Sequence, residues 1–243
     1  MLGEATSLRE SVSARFGSAE LFATAENQID HLTCLISFPA KSPLFTEGDP
    51  ATAIYVLTRG SACLYKMLAD GRKQIVGFAL PGDLLGSPLS DRYPCSVDSI
   101  SEVTARQLQR GPFLAWLKAN PRALYFMLET ASQETDASRD HMFLLGRGTA
   151  QEKVAEFVIN WRARLGRRGA LANLVPLPMS RREIADFLGL TIETVSRLLT
   201  KLERENVIRV VPDGVQLMGS TERPLLFERG YRLGSARQAC ELN

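Results

Sequence analysis

Four side chains near residue 195 have the types and the spacing that base recognition needs. Glu193, Ser196, Arg197 and Thr200 stand at i, i+3, i+4 and i+7, so on a helix they project in one direction. Arginine can donate two hydrogen bonds to guanine O6 and N7, glutamate can accept one from cytosine N4, and serine can do either. The alternative is a solvated helix face with a Glu193–Arg197 ion pair, which contributes only about 0.3 kcal/mol.

Two short amphipathic helices are predicted on either side of Gly189. Ser180 and Glu183 form a capping box that begins the first helix, and Thr191 can cap the second, from Ile192 to Glu205. The side chains expected to face inward are Ile184, Ala185, Leu188, Val195, Leu198, Leu199 and Leu202. Two helices joined by a tight glycine turn form a helix-turn-helix, whose second helix lies in the DNA major groove. A chance helical hairpin is the alternative.

A β-hairpin is predicted directly after these helices. Val207 to Val211 and Val215 to Leu217 flank the turn Pro212-Asp213-Gly214, which makes the motif a winged helix-turn-helix. The candidates for contact with DNA phosphates are Arg181, Arg182, Thr191 and Arg209. Each arginine could equally be an ordinary surface residue.

Charge is distributed unevenly along the 243 residues. From Gly146 to Asn243 there are sixteen Lys and Arg against eleven Asp and Glu, a balance of +5, whereas the rest of the chain has −3. A basic carboxyl-terminal part is typical of a nucleic-acid-binding unit joined to another domain. No run approaches the roughly 18 apolar residues of a membrane span, and the amino terminus has no apolar signal segment, so we expect a cytoplasmic protein.

The amino-terminal half has the pattern of an all-β unit. From about Phe45 to Arg110, apolar runs of four to eight residues alternate with turns such as Arg59-Gly60 and Asp70-Gly71. This spacing predicts hairpins that close into a sandwich or barrel.

A long helix is predicted after Pro121. Side chains at alternating spacings of four and three form a seam along it: Leu124, Leu128, Ala131, Thr135, Ser138, Met142 and Leu145. Such a seam packs against a similar helix, which favours a homodimer. The alternative is packing on the chain's own β unit. After a break at Gly146 a second helix is predicted from Gln151 to Leu165, followed by a linker over 167–178.

Cysteines and histidines offer little other chemistry. Cys34, Cys63, Cys95 and Cys240 lack CxxC-type spacing, so we expect free thiols, with Cys63 buried in a strand rather than a redox sensor. The sequence has no P-loop, GxSxG, HExxH or dinucleotide fingerprint, and two histidines supply few general bases. An enzyme is therefore not expected.

Over about residues 30 to 218 the chain resembles the Crp/Fnr superfamily of bacterial transcription regulators. The stretch IYVLTRGSACLYKMLADGRKQIVGFALPGDLLG resembles the β-roll of cyclic-nucleotide-binding domains, and ETVSR, from Glu193 to Arg197, matches the E-x-x-S-R recognition pattern of the Fnr and FixK branches. That pattern implies TTGA-type half-sites in an inverted repeat, read by two recognition helices about 34 Å apart. RNA polymerase is a further partner that the resemblance implies.

The resemblance implies an α+β fold in four parts. They are a cyclic-nucleotide-binding-type β-roll with flanking helices (1–120), a long dimerisation helix (121–146), a winged helix-turn-helix that binds double-stranded DNA (147–218) and a tail of unassigned structure (219–243).

Departures from cyclic-AMP-responsive members predict a protein without a cofactor or metal. Asp83 is one carbon shorter than their ribose-binding Glu, Pro94-Cys95 stands in place of their phosphate-binding Arg-Ser pair, and Arg92 is out of register. Cys34 alone does not make the amino-terminal cluster of Fnr, and His31 and His141 are few candidates for haem. The FixK-like branch fits best, which implies activation of microaerobic respiration or nitrogen-fixation genes. The alternative is a cyclic-nucleotide-responsive Crp-type activator.

Overall fold

The computed structural model describes residues 32–166 and 173–218. Predictions for His31, Cys240 and the tail from residue 219 concern residues outside this part. The strands are β1 (Thr33–Phe38), β2 (Pro43–Phe45), β3 (Ala53–Arg59), β4 (Ala62–Met67), β5 (Lys73–Ala79), β6 (Leu84–Leu85), β7 (Ser96–Ser99), β8 (Val103–Gln109), β9 (Leu174–Pro176), β10 (Ile208–Val211) and β11 (Gly214–Leu217). The helices are α1 (Arg110–Ala119), α2 (Pro121–Arg147), α3 (Ala150–Gly166), α4 (Arg181–Leu188) and α5 (Ile192–Arg204).

The first eight strands form two antiparallel four-stranded sheets, in the orders β1-β8-β3-β6 and β2-β7-β4-β5. Their inward side chains make one apolar core, which includes Leu44, Phe45, Tyr55, Leu57, Ala62, Val97, Val103 and Ala105. The hairpin predicted at Asp70-Gly71 is confirmed, because β4 pairs antiparallel with β5. The one predicted at Arg59-Gly60 is wrong, because that turn connects β3 of one sheet to β4 of the other. The two sheets close into a β-roll. The first strand begins at Thr33, earlier in the sequence than Phe45, where the strand-rich pattern predicts the β unit to start.

Two helices lie against the outer face of the β1-containing sheet. Phe113 and Leu117 of α1 pack with Ile54 and Leu108 in a second apolar cluster. The 27-residue helix α2 begins with Pro121, which needs no N–H donor at that position, and the N–H of Gly148 closes its last turn on the Leu144 carbonyl. The predicted long helix is present, one residue longer than expected.

The carboxyl-terminal part combines α3, α4 and α5 with a small sheet in the order β10-β11-β9. The prediction of a linker over 167–178 is wrong in part, because Leu174–Pro176 form β9 and pair antiparallel with β11. The indole N–H of Trp161 in α3 also donates to the Pro176 carbonyl at 2.7 Å. A three-residue segment that ends in proline is too short to show a periodic pattern. These residues form a strand only because they pair with β11, which is distant in the sequence.

The apolar core of this carboxyl-terminal part continues into the β-roll. Ile75, Phe78 and Leu80 of the β4–β5 region belong to the same buried cluster as Trp161 and Leu188. The two parts are therefore packed together and not joined only by the polypeptide. None of the helices within 32–166 and 173–218 combines the length and the hydropathy that a membrane span requires.

Two turn glycines allow a test of how tightly the β-roll is closed. Gly60 and Gly71 both have positive φ, 85° and 82°, but a Cβ on Gly60 would lie 2.1 Å from the Glu102 carbonyl oxygen, whereas Gly71 has open space. We expect Gly71→Ala to cost about 1 kcal/mol of unfolding free energy, the conformational strain alone. Gly60→Ala adds a backbone clash and should cost about 3 kcal/mol or more by urea denaturation. Equal losses would show that Glu102 can move aside.

Candidate nucleic-acid interface

Helix α4 begins and ends at the residues that the sequence predicts. The Ser180 hydroxyl accepts from the Glu183 N–H at 3.2 Å, and the Glu183 carboxylate accepts from the Ser180 N–H at 2.6 Å. This reciprocal capping box satisfies two of the donors that a helix start leaves unpaired. Gly189 ends the helix in the left-handed conformation, with φ 62° and ψ 41°. The chain then turns directly into α5.

Helix α5 is held by one face and exposed on the other. The Thr191 hydroxyl accepts from the Thr194 N–H at 3.2 Å and caps the helix. The buried stripe consists of Val195, Leu198, Leu199 and Leu202, as predicted. The four candidate base-reading residues, Glu193, Ser196, Arg197 and Thr200, are all exposed. The structure therefore places them together on the free face of a helix whose orientation is fixed by its opposite face.

The Glu193 carboxylate lies at the amino-terminal end of α5. Its own backbone N–H lowers its pKa, and the Thr191 hydroxyl and the positive charge of Arg182 lower it further. The group is therefore an anion and a hydrogen-bond acceptor at neutral pH. Both Glu193 and Arg197 lie in the described segment 173–218, and no salt bridge joins them there. The alternative of a Glu193–Arg197 ion pair is not what the structure shows.

The Ser196 and Thr200 hydroxyl groups on the same face of α5 differ in the hydrogen bonds that they can still form. The Thr200 hydroxyl donates to the Ser196 carbonyl at 3.1 Å. It can still accept a hydrogen bond through its lone pairs, which would suit a base amino group. The face thus presents a carboxylate acceptor, a guanidinium donor and two hydroxyls, all within two helical turns.

The candidate phosphate contacts fall into different surroundings. Arg182 is exposed near the start of α4, and its positive charge is the smallest of the causes that lower the pKa of Glu193. Arg181 is half-buried, and burial lowers its pKa, so it is less available to an anion. Arg209 is exposed on the hairpin strand β10. The Thr191 hydroxyl is engaged as the helix cap.

Thr194 is a residue of this region that the sequence predictions omit. Its hydroxyl lies 3.0 Å from the Thr191 hydroxyl at the first turn of α5. Backbone N–H groups of a helix start favour anions, and because one hydroxyl donates to the other, at most one O–H of the pair is left to donate. The Thr-x-x-Thr spacing at the predicted helix start is the sequence signal for this pair, and by itself it predicts only a helix cap.

The predicted seam on α2 is largely exposed in the single chain. Leu128 is 68% exposed and Met142 63% exposed, so these side chains do not pack on the chain's own β unit. Leu124, Ala131, Thr135 and Ser138 are exposed as well. Only Leu145 is half-buried, close to the Gly189 turn.

The two hydroxyls in the middle of the seam have partners within the helix. Thr135 donates to the Ala131 carbonyl and Ser138 to the Glu134 carbonyl, each at 2.8 Å. Both hydroxyl groups would therefore keep an acceptor for their hydrogen if a second helix covered this face. Two further exposed apolar side chains, Tyr125 and Phe143, lie on α2 outside the seam.

The β-roll residues compared above with cyclic-nucleotide ligands are engaged elsewhere. Asp83 accepts at 2.8 Å both from the Leu80 N–H and from the Arg164 guanidinium. Arg92 donates to the Gly48 carbonyl at 2.6 Å. Between the sheets, Tyr93 stacks on Phe45 with centroids 3.9 Å apart, and burial raises the pKa of Tyr93 to about 12.

Three of the four cysteines lie in the described residues, and all three are free thiols. Cys63 is 2% exposed on β4, and burial raises its pKa to about 11. Cys95 is half-buried, and burial raises its pKa too. Cys34 is exposed, with its Sγ 3.5 Å from the Gln107 amide oxygen. The prediction of a buried, structural Cys63 is confirmed by its position.

A β-roll, a long helix and a capped helix-turn-helix with a wing together define a class of two-part DNA-binding regulators. Residues 35–120 match the cyclic nucleotide-binding domain, and residues 177–208 match the bacterial regulatory proteins of the crp family. The chain is 48% identical to the transcriptional activatory protein AadR of Rhodopseudomonas palustris, over 82% of this chain and 83% of that protein. It is 46% identical to the nitrogen fixation regulation protein FixK of Bradyrhizobium diazoefficiens, over 82% and 84%.

A solved structure supports the same assignment. FixK2 from Bradyrhizobium japonicum superimposes with a TM-score of 0.74 at 32% identity, over 81% of this chain and 96% of that one. The chain belongs to the Crp/Fnr family of bacterial regulatory proteins, in its FixK-like branch, and it is a DNA-binding transcriptional regulator.

The burial of Cys63 predicts slow thiol chemistry. In variants that retain a single cysteine, we expect Cys63 to react with a disulfide reagent at pH 8 at least about 100-fold more slowly than Cys34, because a thiol of pKa about 11 is rarely ionised and this one is enclosed. Both variants should react at similar rates in denaturant, which is the control. Similar rates in the folded proteins would mean that β4 opens readily.

Proposed function

We propose that the chain binds as a homodimer to an inverted repeat of TTGA-type half-sites and regulates transcription there. The observation that carries this proposal is the free face of α5, where Glu193, Ser196 and Arg197 stand in E-x-x-S-R order, exposed and without a mutual ion pair. A helix that is buried along one side and offers complementary donors and acceptors on the other suits the major groove.

Each base-reading residue has a distinct role in this proposal. Arg197 donates two hydrogen bonds to a guanine, Glu193 accepts from a cytosine amino group, and Ser196 and Thr200 contact neighbouring bases. Arg182 and Arg209, both exposed, contact phosphates on either side, and the Thr191–Thr194 pair lies where the α5 start meets the backbone. Arg181 contributes least, because it is half-buried.

The dimer in this proposal forms along α2. Its seam places apolar side chains at both ends, Leu124 and Leu128 at one and Met142 and Leu145 at the other, with small or hydroxyl side chains between. Exposed apolar side chains at coiled-coil spacing are stabilised by a second helix with the same pattern. Two-fold symmetry would then match the protein to an inverted repeat.

The input is proposed not to be a cyclic nucleotide. The inter-sheet space holds stacked Phe45 and Tyr93, and Asp83 is bonded to Arg164 of α3. Such a β-roll is a scaffold that needs no cofactor, and regulation would follow from the amount of protein present. The names of the relatives, a transcriptional activatory protein and a nitrogen fixation regulation protein, support an activator of nitrogen-fixation genes. Microaerobic genes and RNA polymerase belong to the proposal through the family resemblance alone.

Replacing the central arginine tests the base-reading face. We expect Arg197→Ala to weaken binding to a TTGA-type inverted repeat by about 1 to 3 kcal/mol and to change the affinity for random duplex little, because a bidentate base contact is lost. Arg209→Ala is the comparison, since loss of a phosphate contact should weaken binding to both DNAs alike and reduce the salt dependence. Fluorescence anisotropy with both duplexes measures this. Equal losses for Arg197→Ala would assign it to the backbone.

A charge placed in the seam tests the dimer. Leu128→Asp should lower the sedimentation mass from dimer toward monomer and reduce affinity for the inverted repeat about tenfold or more, because an unpaired carboxylate would be buried between the helices. Phe143→Asp is the matched control, since Phe143 is 59% exposed on the same helix but outside the seam. A dimer that survives Leu128→Asp, or one lost equally in both variants, would contradict the seam.

A further inference from the structure

Side chains of the β-roll and of α2 hold the helix-turn-helix in one place. We call this contact the docking interface, and its members are Gln74, Phe78, Asp83, His141, Arg164, Asp186 and Phe187. It links α2, which carries the seam, to α4, which supports the base-reading helix.

Gln74 makes the most specific polar contact across the docking interface. Its side-chain amide donates to the Asp186 carbonyl at 2.6 Å, and also to the Ile75 carbonyl at 3.1 Å. Asp186 lies in the last turn of α4, where the backbone carbonyls receive no N–H donor from within the helix. A residue 112 positions away in the sequence therefore caps the end of the first helix of the helix-turn-helix.

Phe187 fills the apolar part of the docking interface. Its ring is stacked on the His141 ring of α2, with centroids 4.1 Å apart and an interplanar angle of 8°, and it meets the Phe78 ring edge-on at 5.3 Å. Burial lowers the pKa of His141, so the stacked ring is neutral at neutral pH. The long helix and the β-roll thus contact the same side chain of α4.

Arg164 adds a charged contact on the α3 side. Its guanidinium donates at 2.8 Å to the Phe78 carbonyl and at 2.8 Å to the Asp83 carboxylate, and it lies over the Trp161 ring. Both hydrogen bonds come from one guanidinium nitrogen, and they tie the last turn of α3 to the end of β5 and to the turn that follows it. The covalent connection between α2 and α3 is only Gly148 and Thr149, which by itself leaves the angle between them undetermined.

We propose that Gln74 and Arg164 are positioning residues for DNA recognition, which set the distance and rotation between the two half-sites that the dimer accepts. The inference rests on the proposed function, namely a dimer along α2 on an inverted repeat. Each base pair added between the half-sites moves the second half-site by about 3.4 Å along the DNA axis and rotates it by about 34° around that axis. A rigid docking interface therefore permits one spacing, and a loosened one permits several.

The experiment measures binding against spacing. Gln74→Ala, Arg164→Met and the double variant are compared with the unsubstituted chain on inverted repeats whose spacer is optimal or changed by one or two base pairs, and on a duplex with a single half-site. Gln151→Ala is the matched control, because it removes a 2.7 Å hydrogen bond from Lys201 that lies within the carboxyl-terminal part. Melting temperatures and sedimentation masses establish that each variant is folded and dimeric.

We expect the unsubstituted chain and Gln151→Ala to prefer one spacing by about tenfold or more over spacers changed by two base pairs. The double variant should reduce this preference at least about threefold, with single-half-site affinity unchanged, and each single variant should show a smaller effect in the same direction. A merely structural role would lower the affinity for every duplex alike and leave the preference intact.

Two outcomes would overturn the inference, and they differ from each other. If the unsubstituted chain has a spacing optimum that Gln74→Ala and Arg164→Met leave unchanged while they remain folded, the docking interface does not set the spacing, and the proposed function stands. If the unsubstituted chain has no spacing optimum, the inverted-repeat dimer itself is wrong, and the inference falls with it.

Discussion

The burial of one side of α5 is the constraint on which the base-reading surface depends. Val195, Leu198, Leu199 and Leu202 are removed from water, and burying each such side chain stabilises the fold by about 1.5 to 3 kcal/mol. Because successive residues of a helix are rotated by a fixed angle, burying this stripe determines where every other side chain points. Glu193 and Arg197 are exposed for that reason, and no contact of their own is needed to orient them.

The same burial connects recognition to the rest of the chain. The cluster that holds α5 includes Ile75 and Phe78, so the position of the reading helix is set partly by the β-roll. Apolar contact alone is non-directional, whereas hydrogen bonds require a defined geometry. The hydrogen bonds of Gln74 and Arg164 therefore give this apolar packing its register. Packing and hydrogen bonds are therefore continuous from the β-roll to the base-reading helix.

The sequence predicted those features that depend on neighbouring residues. The Ser180–Glu183 box, the Gly189 turn and the Thr191 cap are all local, and the apolar periods of α2 and α5 follow from single helices. It did not predict β9 or the docking interface, because Gln74 and Asp186 meet only through the tertiary fold. The sequence also could not predict that Arg181 is half-buried and Arg182 exposed, because the two residues are adjacent and carry the same charge.

The contacts of Asp83 show how a sensor-type fold can serve as a scaffold. A carboxylate at the edge of a β-roll can bind an incoming ligand or pair with a neighbouring cation, and here Arg164 and the Leu80 N–H share one of its oxygens. A ligand would have to displace that pair and, between the sheets, separate the stacked Phe45 and Tyr93 rings. Both changes act against binding, and the first would remove one of the contacts between α3 and the β-roll. The contacts that join α3 to the β-roll therefore also act against ligand binding at Asp83.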